Sequence, residues 1–213
     1  MGRLLLSAGV TAALAAPAGA EVSDTGVFEY WRTFAGVAAD GKPVCGMSTD
    51  WVLRDQTARS FLIKYFGQNE IVVHIGHVGW QVPYSQPAMV HIQIDQAPAI
   101  KVLSHGTGEK RGWSFLEFTI KNDDVWTATG KNAFDEFVAL LSAGRQITLS
   151  FPDGSEPPWV GQLAGSRAAL QSFMACGTTI ETAKNGVPGT AQPFSPKEAP
   201  IPTITGTQPF HRL

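Results

Sequence analysis

The chain has 213 residues, 44% hydrophobic and 16% charged, which suits one domain with a substantial core and not comfortably two. Its formal net charge is -2 and its lysines and arginines are scattered, so it lacks the basic face that a phosphate backbone requires, and a nucleic-acid partner is excluded. Past residue 20 no apolar run is long enough to cross a bilayer as a helix, so an integral membrane protein is not expected.

The first residues read as a secretory signal peptide. Arg3 gives the positive start, Leu4 to Ala16 a short apolar run, and Ala18-Gly19-Ala20 an A-x-A cleavage site. Cleavage after Ala20 would make Glu21 the new N-terminus; the alternative is a retained membrane anchor. The expected organisation is a signal peptide over 1–20, a β-rich globular domain over 21–177 and a Pro/Thr-rich tail over 178–213. The expected compartment is the periplasm or the cell exterior. Two cysteines follow the cleavage site. An even count in an oxidising compartment favours one disulfide, Cys45–Cys176, over two buried free thiols.

Glu21 to Thr25 reads as a polar lead, and Val27 to Phe34, rich in aromatics, as a strand. Asp40-Gly41 is a hairpin signal, after which Cys45 begins the next strand. Arg59 to Phe66 and Glu70 to Ile75, separated by Gly67-Gln68-Asn69, read as an antiparallel hairpin. Met89 to Asp95 alternates, with Val90, Ile92 and Ile94 on one face, and Ala99 to Leu103 could pair with it. Trp113 to Lys121 alternates in the same way, with Leu116, Phe118 and Ile120 inward.

A helix is expected over about Ala133 to Ala143. Asn132 is its N-cap, Asp135 and Glu136 lie in its first turn, and Gly144 stops it. Gln146 to Phe151 is a strand, Pro152-Asp153-Gly154 a turn, and Trp159 to Leu163 the returning strand. Ser166 caps a second helix that runs through Cys176 and ends at Gly177. The fold class is mainly β: an antiparallel sandwich or partly open barrel with two short helices and a disordered C-terminal tail. Within that tail Gln192-Pro193-Phe194 and Gln208-Pro209-Phe210 echo one another. Each phenylalanine could dock in a groove of this domain or of a partner, or the echo could be chance.

Signals for chemistry are sparse. Gly46-Met47-Ser48 lacks the closing glycine of a nucleophile elbow, and there is no P-loop, dinucleotide fingerprint or CxxC. No motif asks for a cofactor. Asp123 and Asp124 suit a solvated turn better than an acid/base pair or a calcium ligand set, which needs more oxygens. His74, His77, His91 and His105 fall on or beside predicted strands and could converge on a transition metal. Against this, His74 and His77 should point to opposite faces of a strand unless Gly76 turns the chain. The six tryptophans are more readily core than groove. The segment Val78 to Pro87 is an aromatic loop bounded by glycine and proline, and Trp80 and Tyr84 on it could contact a partner.

Several segments resemble, in order and spacing, the invasion-associated locus B family of exported bacterial proteins. They are the early aromatic strand with Trp31, Cys45, the Val82-Pro83 step, V-x-I-x-I-D at Val90 to Asp95, A-L-L-S-A-G at Ala139 to Gly144, I-x-L-S-F at Ile147 to Phe151, and L-x-G-x-x-x-A-L at Leu163 to Leu170. The resemblance covers about Trp31 to Cys176. It implies a periplasmic or surface-exposed β-sandwich-like domain with no catalytic residues to carry over. The expected function is therefore an exported envelope protein acting through binding or assembly, with an envelope protein of unknown identity as partner. The alternatives are a periplasmic metal-binding protein or metalloenzyme that uses the histidines, and an accessory subunit of a periplasmic or membrane complex.

Overall fold

Alternation of apolar and polar side chains dictates most of the architecture. The computed structural model describes residues 21–52, 57–67, 70–110, 112–126 and 130–184; the expected signal peptide and residues 185–213, with Phe194 and Phe210, lie outside them. In chain order the described elements are β1 (Glu21–Phe28), β2 (Trp31–Val37), β3 (Pro43–Val52), β4 (Ala58–Tyr65), β5 (Glu70–Val78), β6 (Pro87–Ile94) and β7 (Ile100–Lys110). They continue with β8 (Trp113–Lys121), β9 (Val125–Trp126), β10 (Lys131–Asn132), α1 (Ala133–Ala143), β11 (Gln146–Ser150), β12 (Trp159–Gln162) and α2 (Ser166–Lys184).

Ten strands form one antiparallel sheet in the order β1-β2-β3-β4-β5-β8-β7-β6-β11-β12, while β9 and β10 make a separate two-stranded ribbon. The sheet is not closed by hydrogen bonds. It nevertheless curls, because β3 is third in that order and β12 is tenth, yet the Trp51 and Trp159 rings meet edge-on with centroids 6.2 Å apart. Of the two expected forms, this is the partly open barrel.

The inner face carries the expected alternation: Val90, Ile92 and Ile94 on β6 and Leu116, Phe118 and Ile120 on β8 are all buried. Both helices pack into the same core, through Ala133, Phe137 and Leu141 of α1 and Ala169, Leu170, Phe173 and Ile180 of α2. Asn132 caps α1 as expected, its Oδ1 accepting from the Asp135 amide at 2.9 Å. Gly144 ends α1 in extended backbone, and its role is space: a Cβ there would lie 2.3 Å from Ile94 Cγ2. Ser166 opens α2, but its hydroxyl donates 2.5 Å to the Leu141 carbonyl, and Arg167 Nε donates to the Ser142 carbonyl. The start of α2 thus satisfies carbonyls that the end of α1 leaves open.

Three sequence expectations are corrected. Val27 to Phe34 is two strands, broken at the Glu29-Tyr30 turn, where Glu29 has a φ of 53°. Glu21 to Thr25 is the start of β1, a sheet edge whose ladder to β2 needs no apolar face. The second helix does not stop at Gly177 but continues to Lys184, so residues 178–184, expected as tail, are helical. A helical glycine costs about 1 kcal/mol relative to alanine. Here Gly177 lies against the Tyr65 ring, where a Cβ would sit 3.2 Å from Cδ1. The extra turns bury Ile180, accept a 2.5 Å hydrogen bond from Tyr65 Oη to Glu181 Oε1, and absorb the Thr178, Thr179 and Thr182 hydroxyls on carbonyls one turn back.

Candidate functional site

The curled sheet has two distinct ends. At one, Arg59 is the second residue of β4, Trp51 lies near the end of β3, His77 is near the end of β5, and the segment before β12 brings in Glu156. The β4 alternation that buries Phe61 and Ile63 also turns Arg59 inward, and it is 2% exposed. Its Nη2 donates to Glu156 Oε1 at 3.2 Å and its Nη1 to Thr57 Oγ1 at 2.6 Å. Trp159 Nε1 donates to the same Glu156 oxygen at 2.6 Å, and Trp80 Nε1 to the other at 3.1 Å. Burial by itself raises the Glu156 pKa, but the hydrogen bonds from Trp159, Trp80 and Arg59 and the charge of His77 outweigh it, and the pKa is lowered.

Aromatic rings fill the space around this carboxylate. Trp80 stacks on Trp159 at 5.0 Å, and His77 stacks on both at 5.4 and 5.8 Å. Phe151 packs 4.9 Å from Trp159, and the Arg59 guanidinium lies 5.2 Å from the Trp159 ring centroid. Both carboxylate oxygens are thus engaged and the surroundings are packed with rings. The arrangement fastens the β12 end to β4, and it acts as a latch.

The other end is held differently. Cys45 of β3 and Cys176 of α2 are disulfide-bonded, with Cα atoms 6.0 Å apart, as the cysteine count suggested. Beside the bond an apolar groove of about 440 Å³ stays open between α2 and β1–β3; Ala35, Val44, Cys45, Cys176, Ile180 and Ala183 are among its lining residues. Hydroxyls mark one side: Thr25 Oγ1 donates to Thr33 Oγ1 at 2.9 Å, and Thr33 lies 3.4 Å from Ser172 Oγ. A smaller cavity of about 170 Å³ lies under Tyr65, Phe134, Phe173 and Met174.

The four histidines do not converge. On β5 the alternation places His74 outward and His77 inward, and Gly76 stays in the ladder opposite Ser60 and Phe115 without turning the chain. His91 is on β6 and His105 on β7, where Lys101 and Pro87 respectively are their cross-strand partners. Among the described residues no three His, Cys, Asp or Glu side chains are placed to hold a metal ion. His74 Nε2 is 3.5 Å from Glu117 Oε2, which by distance is an ion pair. Burial and the nearby Lys64 push the His74 pKa down to about 3, so near neutral pH the imidazole is uncharged and the contact is not ionic.

Of the expected partner contacts, Trp80 is partly buried within the latch, while Tyr84 is 80% exposed at the tip of the loop after β5. That loop is anchored on β7: the Ser85 amide donates to the Gly106 carbonyl at 2.7 Å, and the Gly106 amide to the Gln86 carbonyl at 2.8 Å. Phe194 and Phe210 lie outside the described residues. Arg59, Glu156 and Trp159 were not singled out as a group by the sequence. The usable signal was the period of β4, which puts Arg59 on the face of Phe61 and Ile63.

Fold and site together define a helix-plugged, half-open antiparallel barrel with a latched end and a grooved end. No family model matches the chain, and neither does any curated protein or solved structure. No described helix is long and apolar enough to cross a membrane.

Proposed function

We propose that this is an exported bacterial envelope protein that works by binding, not by catalysis, in the manner of the invasion-associated locus B proteins it resembles. The observation that carries the reading is the open apolar groove on a scaffold clamped by a disulfide. A disulfide persists in oxidising compartments and is rare in the cytosol, which supports export. An apolar groove with few polar groups suits recognition of an apolar side chain or segment. Arg59, 2% exposed, is held by Glu156 in the latch. Tyr84, exposed on its anchored loop, offers a second contact for an envelope partner.

The test is cellular. The chain with its residues 1–20 is expressed in a Gram-negative host, the cells are fractionated, and the protein is cross-linked in place through a photoreactive residue at Tyr84. The expected result is a periplasmic product beginning at Glu21 and one reproducible adduct with an envelope protein. A cytoplasmic product that keeps residues 1–20, or cross-linking that returns the unadducted chain alone, would falsify the reading.

A further inference from the structure

We infer that the groove between α2 and β1–β3 is the dock for this chain's own Gln192-Pro193-Phe194 segment. This rests on the groove as a binding site, not on any envelope partner.

Four observations lead there. The first is where the chain goes. The α2 wall of the groove runs from Ser172 to Ala183, and α2 ends one residue later at Lys184, so the chain leaves the described fold at the groove's rim. The second is reach. Ser172 to Ala183 is about 16 Å of helix at 1.5 Å per residue. The ten residues from Lys184 to Phe194 span up to about 35 Å when extended, enough to turn back and run along the groove.

The third is fit. The groove's walls are small or aliphatic: Ala35, Gly36, Pro43, Val44, Ile180 and Ala183 surround the Cys45–Cys176 sulfurs, and no lining residue is aromatic. An inserted phenylalanine would bury on the order of 150–250 Å² of apolar surface, and sulfur against an aromatic edge is itself favourable. The Thr25 and Ser172 hydroxyls beside the apolar walls offer partners for Gln192 or for backbone amides. The fourth is cost. Pro188, Pro193 and Pro196 restrict the backbone around the motif, which lowers the entropy lost on docking an extended segment. A tether this short also holds the phenylalanine at about millimolar effective concentration, so weak intrinsic affinity is enough.

The test needs only purified full-length protein, so it can fail while the envelope-binding reading stands, and the reverse. Phe194→p-benzoylphenylalanine is irradiated at micromolar protein concentration, and the adducts are mapped by mass spectrometry. The same photoreactive residue at Ile204 is the control. The expected result is an intramolecular adduct on 33–45 or 172–183, several-fold above the control and abolished by Ala183→Trp, which fills the groove. Adducts elsewhere on the domain, adducts joining two copies, or a yield no greater than the control's would each overturn the inference. Removal of a co-purifying lipid that raises Ala183→Trp-sensitive binding of a fatty-acid probe, with no adduct on the groove, would identify an acyl chain as the occupant instead.

Discussion

The two ends of the curled sheet solve one closure problem in opposite ways. At the latch the edge strand β12, backbone-paired with β11 on one side, is fastened on the other by side chains: Trp159, fully buried, touches Trp51, Trp80, His77, Phe151 and Arg59, and Glu156 ties the group together. At the groove a covalent bond holds α2 to β3, and the space beside it stays open. Packing stabilises only where it fills. A cross-link stabilises by restricting the unfolded chain, and so permits an unfilled site. A protein that must keep a groove open has reason to place its disulfide there.

That contrast predicts different responses to damage, and the largest is at the groove end. Cys45 and Cys176 are 131 residues apart in sequence. In the loop-entropy model a closure of that length stabilises by about 5 kcal/mol. The double variant Cys45→Ser/Cys176→Ser should lose about that much in urea unfolding followed by circular dichroism. A loss below about 1 kcal/mol would mean that packing, not the cross-link, holds α2 in place.

Next in size is the latch. Trp159→Ala removes a fully buried indole and one of the donors to Glu156. Large-to-small aromatic truncation in a core costs about 3–5 kcal/mol, and this one also loosens the hold on the Arg59–Glu156 pair. The same unfolding measurement checks it. A change under about 1 kcal/mol would show that the rings are not what closes the sheet.

The two ends also differed in how far the sequence revealed them. Cys45–Cys176 could be paired by elimination, because the sequence has only two cysteines. Val90, Ile92 and Ile94, and likewise Leu116, Phe118 and Ile120, declared their face by a period of two, and Asn132 declared the start of α1. These are local or combinatorial signals. The latch is neither, since Arg59 and Glu156 are 97 residues apart and meet only because the sheet curls through the five strands between β4 and β12. Trp80 was legible as an aromatic on a loop, but not as an indole donating to a carboxylate. The continuation of α2 past Gly177 was hidden because glycine's propensity argues for a stop, and what overrides it is Tyr65, distant in sequence, packing on the bare backbone. The groove was invisible for the same reason: its walls come from β1, β2, β3 and the extra turns of α2.

The smallest expected effect sharpens the comparison most, because it separates open space from packed space. Ala183 is an exposed residue in the last turn of α2 whose side chain borders the groove. Ala183→Leu adds apolar volume where room exists, so stability should change by less than about 0.5 kcal/mol, in keeping with surface substitutions away from packed features. An enlargement of similar size in the filled core should cost about 1–3 kcal/mol through strain. Urea midpoints of Ala183→Leu and of Ala169→Leu, the latter at a fully buried α2 position, make the pair. Equal destabilisation of the two would mean that the groove is not available space in solution.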